Sequence, residues 1–180
     1  DCNPARIHLD NTLVPLPVVN VGDSFPGAIV GVLDYTFATF KLLVSEPLPA
    51  LAPGGLLKET TTLGAPDPNQ LTLASFNVEN LDPSDSTFAA FGNQIANAMG
   101  APDILALSEI QDNSGATNNG IVSASQTIQL LIDAIVAAGG PRYSFVTVEP
   151  ANNQDGGEPG GNIRVVQFYN PARVSFVAGT

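Results

Sequence analysis

A single cysteine, Cys2, and a single histidine, His8, stand together at the start of the chain, and tryptophan is absent. One thiol forms no internal disulfide, and one thiol with one imidazole makes no tetrahedral zinc site. No Ser-His-Asp or Cys-His set can be assembled from residues so placed, so His8 reads as structural. Positive charge is scarce as well. Arg6, Lys41, Lys58, Arg142, Arg164 and Arg173 face 17 acids, for a formal charge of −11. Such a chain repels a phosphate backbone, whereas nucleic-acid binders that rely on counterion release carry a basic stripe. A polyanionic substrate would therefore require a metal ion to supply local positive charge, while solubility or a salty, extracellular setting also accounts for the acids. No apolar run approaches the roughly 20 residues that span a bilayer, so no membrane span is expected. No charged-then-apolar leader opens the chain, and it starts at Asp1 rather than Met. It reads as cytosolic or already processed, and the Met-less start favours processing.

What is present is enough for a core. With 180 residues, 44% of them hydrophobic, the chain can build one sizeable core, or a small unit and a medium one. Residues 1–47 alternate β-branched positions with Gly and Pro punctuation, as in VVNVGDSFPGAIVGVLDY and TFATFKLLV, and read as a small β-rich segment. Residues 48–70, punctuated by Pro49, Pro53, Gly54, Gly55, Pro66 and Pro68, lack periodicity and read as a linker or a surface-hugging loop.

From Leu71 the pattern changes to strands alternating with helices. The spacing predicts a strand over 71–77 and then a helix capped by Ser84 or Asp85, with Phe88, Phe91, Ile95 and Met99 on one face. PDILALSEI follows as a second apolar strand. A second helix is expected to bury Ile128, Leu131, Ile132 and Ile135 and to stop at Gly139 and Gly140. Further strands are expected over 143–149, 162–169 and 173–177. Strand, helix and strand with a short crossover make the first two strands parallel neighbours. Asn77, Glu79 and Glu109 then gather at the carboxyl ends of adjacent strands, where open α/β sheets place ligands.

Glu109 is the sharpest of these residues. ILALSE runs apolar and then presents an ionisable group, which is costly to bury unless it is paired, metal-bound or solvated. It is either a ligand or a carboxylate reaching the strand's wet end. A hard cation such as Mg2+ or Mn2+ needs one or two carboxylates with water and substrate oxygens, so Glu109 with Asn77 or Glu79 suffices as a beginning. NNQDGGEPGGN (152–162) is neither a Walker loop nor a dinucleotide fingerprint. It is a hairpin connection or a loop over a site. Arg164, just beyond it, is either a strand-edge charge or the base placed to meet a phosphate oxygen.

Three segments together resemble the endonuclease/exonuclease/phosphatase superfamily, which includes deoxyribonucleases, abasic-site endonucleases, sphingomyelinases and inositol phosphatases. They are LTLASFNVENL, APDILALSEIQDN and GEPGGNIRVVQFYNPARVSF. The third is close to the form found in large secreted bacterial nucleases, where a β-rich stretch with a segment like GVLDYTFATFKL often precedes the nuclease domain. The resemblance implies an α/β (α+β) fold, the N-terminal portion of a two-sheet β-sandwich flanked by helices, over 71–180. It implies that Glu109 is the principal metal ligand, that Asn77 contacts the metal-bound phosphate, and that Glu79 is the acid found there in the abasic-endonuclease branch.

Several departures qualify the match. Ser108 stands where Gln is customary, and Glu79 and Ile163 differ from the basic residue and the Glu of the animal deoxyribonucleases. The family's later GDFN- and SDH-like segments, with the catalytic His, do not occur before Thr180, so the expectation is an N-terminal part of the domain without turnover of its own. The implied activity is divalent-metal-dependent phosphodiester hydrolysis by an extracellular bacterial nuclease whose signal has been removed, with nucleic acid as substrate. A phosphatase or phospholipase of the same fold, or a non-catalytic surface module, are the rivals.

Overall fold

The structure is a computed structural model that describes residues 7–63, 67–154 and 160–179. Cys2, Arg6 and residues 155–159 of the Gly-rich loop lie outside the described residues. The chain divides into two compact units, Asp1–Lys58 and Glu59–Thr180.

The first unit holds a three-stranded sheet. Strand β1 (His8–Asp10) pairs in parallel with β3 (Thr39–Val44), which pairs antiparallel with β2 (Gly31–Thr36), so β3 is central. The turn between β2 and β3 places Phe37 and Ala38 at positive φ. That is the left-handed turn a two-residue hairpin demands, built here without glycine. His8 lies on β1 opposite Lys41. Residues 48–63 form no regular element beyond a bridge between Ser24 and Ala52 and a bond from Thr61 N–H to the Ala98 carbonyl.

The second unit is a four-stranded sheet in the order β4-β5-β7-β6. Its strands are β4 (Leu73–Leu81), β5 (Ile104–Ile110), β6 (Ser144–Thr147) and β7 (Arg164–Tyr169). Strands β4 and β5 are parallel neighbours, and the other pairs are antiparallel. With two mixed sheets and helices, the class is α+β, as the sequence implied.

Register explains the core. Ala74 and Phe76 on β4 align with Leu105 and Leu107 on β5, and these with Phe168 and Val166 on β7, so all six share one face. That face carries helices α1 (Phe88–Asn93) and α2 (Ser125–Ala137), and Phe76 meets Phe91 edge-on with centroids 5.4 Å apart. On α2 the i, i+3, i+4, i+7 positions Ile128, Leu131, Ile132 and Ile135 are all buried, each contributing roughly 1.5–3 kcal/mol. The opposite sheet face is open: Leu73, Ser75, Asn77, Val165 and Gln167 are exposed.

Several details differ from the sequence expectation. Helix α1 begins after Thr87, with no side-chain cap. Asp85 instead accepts the Asp82 N–H, and Ser84 bonds Asp82. Gly92 lets the helices touch: a Cβ there would stand 2.5 Å from the Ala134 carbonyl oxygen. The expected helix then loosens into a π-helical segment, Gln94–Ala98. Helix α2 is capped from outside its own turn, by Asn113 Oδ1 accepting the N–H groups of Gln126 and Thr127. It ends at Ala137, left-handed Gly139 (φ 91°) stops it, and Gly140 N–H closes onto the Ile135 carbonyl.

No strand forms over 173–177. Arg173 instead leaves any β pattern to clasp the sheet's far end. Its Nε donates to Asp103 Oδ1 at 2.9 Å, and its Nη2 donates to the carbonyls of Asp67 and Gln70.

Candidate functional site

Asn77, Glu79 and Glu109 sit where β4 and β5 both break step. Buried residues recur every second position along a strand, yet Val78 is followed by Leu81 and Leu107 by Ile110. Each strand carries an irregularity there, and the register closes again at Leu81 opposite Ile110. The extra backbone is taken up by left-handed residues: Glu79 at φ 55°, Asn80 at 59° and Glu109 at 62°. Asn tolerates this region, but Glu rarely adopts it. Three such residues on two adjacent strands are local strain of the kind that persists where surrounding structure enforces it.

The side chains converge there. Asn77 Nδ2 donates to Glu109 Oε1 at 2.6 Å, a charge-assisted bond, while Asn77 Oδ1 accepts the Glu79 N–H at 2.8 Å. One amide thus fixes the β4 bulge and orients the β5 carboxylate. Glu79 joins this arrangement through its backbone. The alternation that would set its side chain beside Asn77 ends at its own left-handed turn.

Glu109 opens onto a cavity of about 630 Å3. Ser108, Val146, Val165 and Gln167 supply its floor from three strands, and Val148, Glu149, Pro150, Ile163 and Arg164 supply its wall. Glu79 and Asn77 are not among the described lining residues.

Arg164 is placed with Glu109 but turned inward. It is 6% exposed. Its Nη2 donates to the backbone carbonyls of Val122 and Asn162, and its Nε and Nη1 are shielded from solvent and have no hydrogen-bond partner among the described residues. Burial pushes the guanidinium down from its ordinary range, while the charges of Glu149 and Asp112 pull it back up. A desolvated charge acts over longer distances than a solvated one, so Arg164 contributes a positive field to a wall that also carries Glu149.

Sequence reasoning missed Glu149, Asp112 and Asn162. The signal for Glu149 was available: VEP places a carboxylate just beyond a strand's end, much as LSE places one near the end of β5. Asp112 and Asn162 carried none, because their role is set by contact between loops 50 residues apart.

The donor set is hard. Among the described residues no three His, Cys, Asp or Glu side chains come together. Mg2+ or Mn2+ is held by one or two carboxylates, the remaining positions going to water and phosphate oxygens. Glu109, oriented by Asn77 at a cavity mouth, fits that minimum. Residues 1–53, within the first unit, match the family model described as a domain of unknown function (DUF8508). No curated protein matches the chain.

Proposed function

We propose that the end of β5 is the metal-and-phosphate corner of a divalent-metal-dependent phosphodiesterase, a nuclease acting on nucleic acid. The observation that carries this reading is the Asn77–Glu109 bond at paired left-handed bulges, beside a cavity with one buried guanidinium. Glu109 would hold Mg2+ or Mn2+ through its carboxylate. The bound ion would supply positive charge to a phosphoryl oxygen. Asn77 keeps the carboxylate in one orientation, so no rotamer search is needed when a ligand arrives. Glu79 contributes the N–H that fixes Asn77, and its carboxylate adds negative charge near the corner. Arg164 favours an anion in the cavity through its field, whereas Glu149 opposes one unless a cation is present. Anion binding should therefore depend on the metal.

A phosphatase or phospholipase of the same chemistry is the second reading. It is favoured by the charge of −11 and by a described cavity lining with one cation and two acids. A small or lipid-borne phosphate needs no basic track.

Mn2+ titration followed by paramagnetic broadening of the Ser108 and Glu109 amide signals tests the corner, with plasmid nicking in Mg2+ and Mn2+ measured alongside. Broadening should saturate and should vanish in Glu109→Ala, and any nicking should vanish with it. Broadening that is unchanged in Glu109→Ala sinks the assignment. Nicking of short phosphate esters but never of DNA selects the second reading.

A further inference from the structure

Three residues after Glu109 the chain buries a second carboxylate. Asp112 is fully buried, and it has no ion pair among the described residues. Its charge is held by hydrogen-bond donors and, without direct contact, by the field of Arg164. Oδ1 accepts the N–H and the hydroxyl of Ser114, both at 2.7 Å, and Oδ2 accepts Asn162 Nδ2 at 2.7 Å.

Asn162 is 2% exposed and sits across the Gly-rich loop, two residues before Arg164. Its Nδ2 also donates to the Ile121 carbonyl at 2.8 Å, and its Oδ1 accepts the Asn153 N–H at 2.9 Å. Its own carbonyl receives Arg164 Nη2 at 3.1 Å. The other acceptor of that same nitrogen, the Val122 carbonyl, lies on the loop that Asp112 begins. Close approach of the two loops is built in. A Cβ at Gly161 would stand 2.5 Å from Gln111 Oε1, and one at Gly160 2.3 Å from the Ala116 carbonyl oxygen.

Stability alone does not call for this arrangement. A buried carboxylate and amide lose their hydration, and an apolar pair of similar volume usually costs no more. A fully satisfied polar network instead fixes one geometry. What that geometry fixes is the guanidinium behind the cavity wall. We propose that Asp112 and Asn162 are a positioning pair that locks Arg164 beside the Glu109 cavity. The purpose Arg164 serves there rests on the phosphodiesterase reading, whereas its position does not.

The test follows the Arg164 Nε–H signal, and its exchange with water, in the full chain. In the wild type the shielded Nε–H should exchange slowly. Asn162→Asp sets two carboxylates within hydrogen-bond distance, which cannot both ionise without repulsion. Besides Asp112, Glu149 after β6 is the described charge acting on Arg164, and Glu109 lines the same cavity. At about pH 7.5 Arg164 exchange should quicken by about tenfold over wild type at the same pH. At about pH 5, where the two carboxylates can share a proton, it should return close to the wild-type rate.

Asn162→Leu, which cannot share a proton, should show no such return. Asp112→Asn keeps the shape and should quicken exchange at both pH values. The proposal is overturned by wild-type Arg164 exchange in folded Asn162→Asp or Asp112→Asn, or by equal loss at both pH values in Asn162→Asp. Mn2+ broadening at Glu109 in the wild type is scored separately. Its absence defeats the phosphodiesterase reading and leaves the positioning pair standing.

Discussion

Replacing Glu109 by glycine should make the protein more stable than replacing it by alanine, although both remove the same carboxylate and the same Asn77 bond. The reason is φ at 62°. A residue with a Cβ pays roughly 1–2 kcal/mol to sit in the left-handed region. Glycine escapes that cost but gives back roughly 0.4–1 kcal/mol through the greater freedom of the unfolded chain. The net difference between Glu109→Gly and Glu109→Ala is then about 1 kcal/mol in favour of glycine. With a urea slope of roughly 2 kcal/mol per molar, the midpoint should rise by about 0.5 M.

Equilibrium urea unfolding followed by far-UV circular dichroism measures this, provided the slope is the same in both variants. The alanine variant is the right reference because it isolates backbone from side chain. A glycine variant no more stable than the alanine variant would refute the claim that Glu109 is held in a left-handed turn, and with it the claim that strain is stored at this corner. Enhanced stability together with lost Mn2+ binding would mark the trade-off expected where a strained residue is retained for function.

Four further outcomes follow from Asp103 and Tyr143 at the far end of the sheet. Asp103 receives the Arg173 guanidinium and the Thr72 N–H and hydroxyl, and these bonds hold its carboxyl below the ordinary value of 3.8. A depressed folded pKa stabilises above the unfolded value and is lost as pH falls through the folded one. The urea midpoint of the wild type should therefore fall more steeply below about pH 4 than that of Asp103→Asn; parallel acid limbs would refute the clasp. At neutral pH Asp103→Ala should cost about 2–3 kcal/mol by leaving Arg173 without its carboxylate. The Tyr143 hydroxyl donates to the Pro102 carbonyl at 2.6 Å inside the core, and burial, aided by the Asp103 charge, raises its pKa above the ordinary tyrosine range. Tyr143→Phe should lower stability by about 1 kcal/mol, and in the wild type one of three tyrosines should resist phenolate formation in an absorbance titration.

The periodic parts of this protein were legible without coordinates. The four buried positions of α2, the parallel pairing of β4 with β5 and the apolar strand ending in Glu109 all follow from local pattern, because burial on one face imposes a fixed spacing. What was not legible depends on contacts distant in sequence. Asn113 caps α2 from a loop, Arg173 trades a strand for a clasp on Asp103, and Asp112 finds Asn162 across 50 positions. At the candidate site the residue types were visible, but the bulges were not. ASFNVENL reads as an even alternation, and only the paired register shift shows that it breaks after Val78.

The strand order β4-β5-β7-β6 carries a consequence for how the polypeptide emerges during synthesis. Strand β7 is the last of the four to be made, yet it occupies the interior between β5 and β6. Until it arrives, β6 has no described strand to pair with and β5 has one bare edge; β5 carries Ile104, Leu105, Leu107 and Ile110, and β6 carries Phe145 and Val146. The nascent chain must hold the β5 edge apart from other molecules through all the residues between Ile110 and Arg164, and the β6 edge through the shorter stretch after Thr147, as synthesis proceeds at roughly 5–20 residues per second. Helix α2, made during that interval, can cover one face of the waiting strands, but it cannot cover their edges. Ribosome-bound chains arrested before Arg164 should therefore be the species that chaperones hold and that aggregates recruit. Chains released after Tyr169 should close the sheet in one late, long-range step.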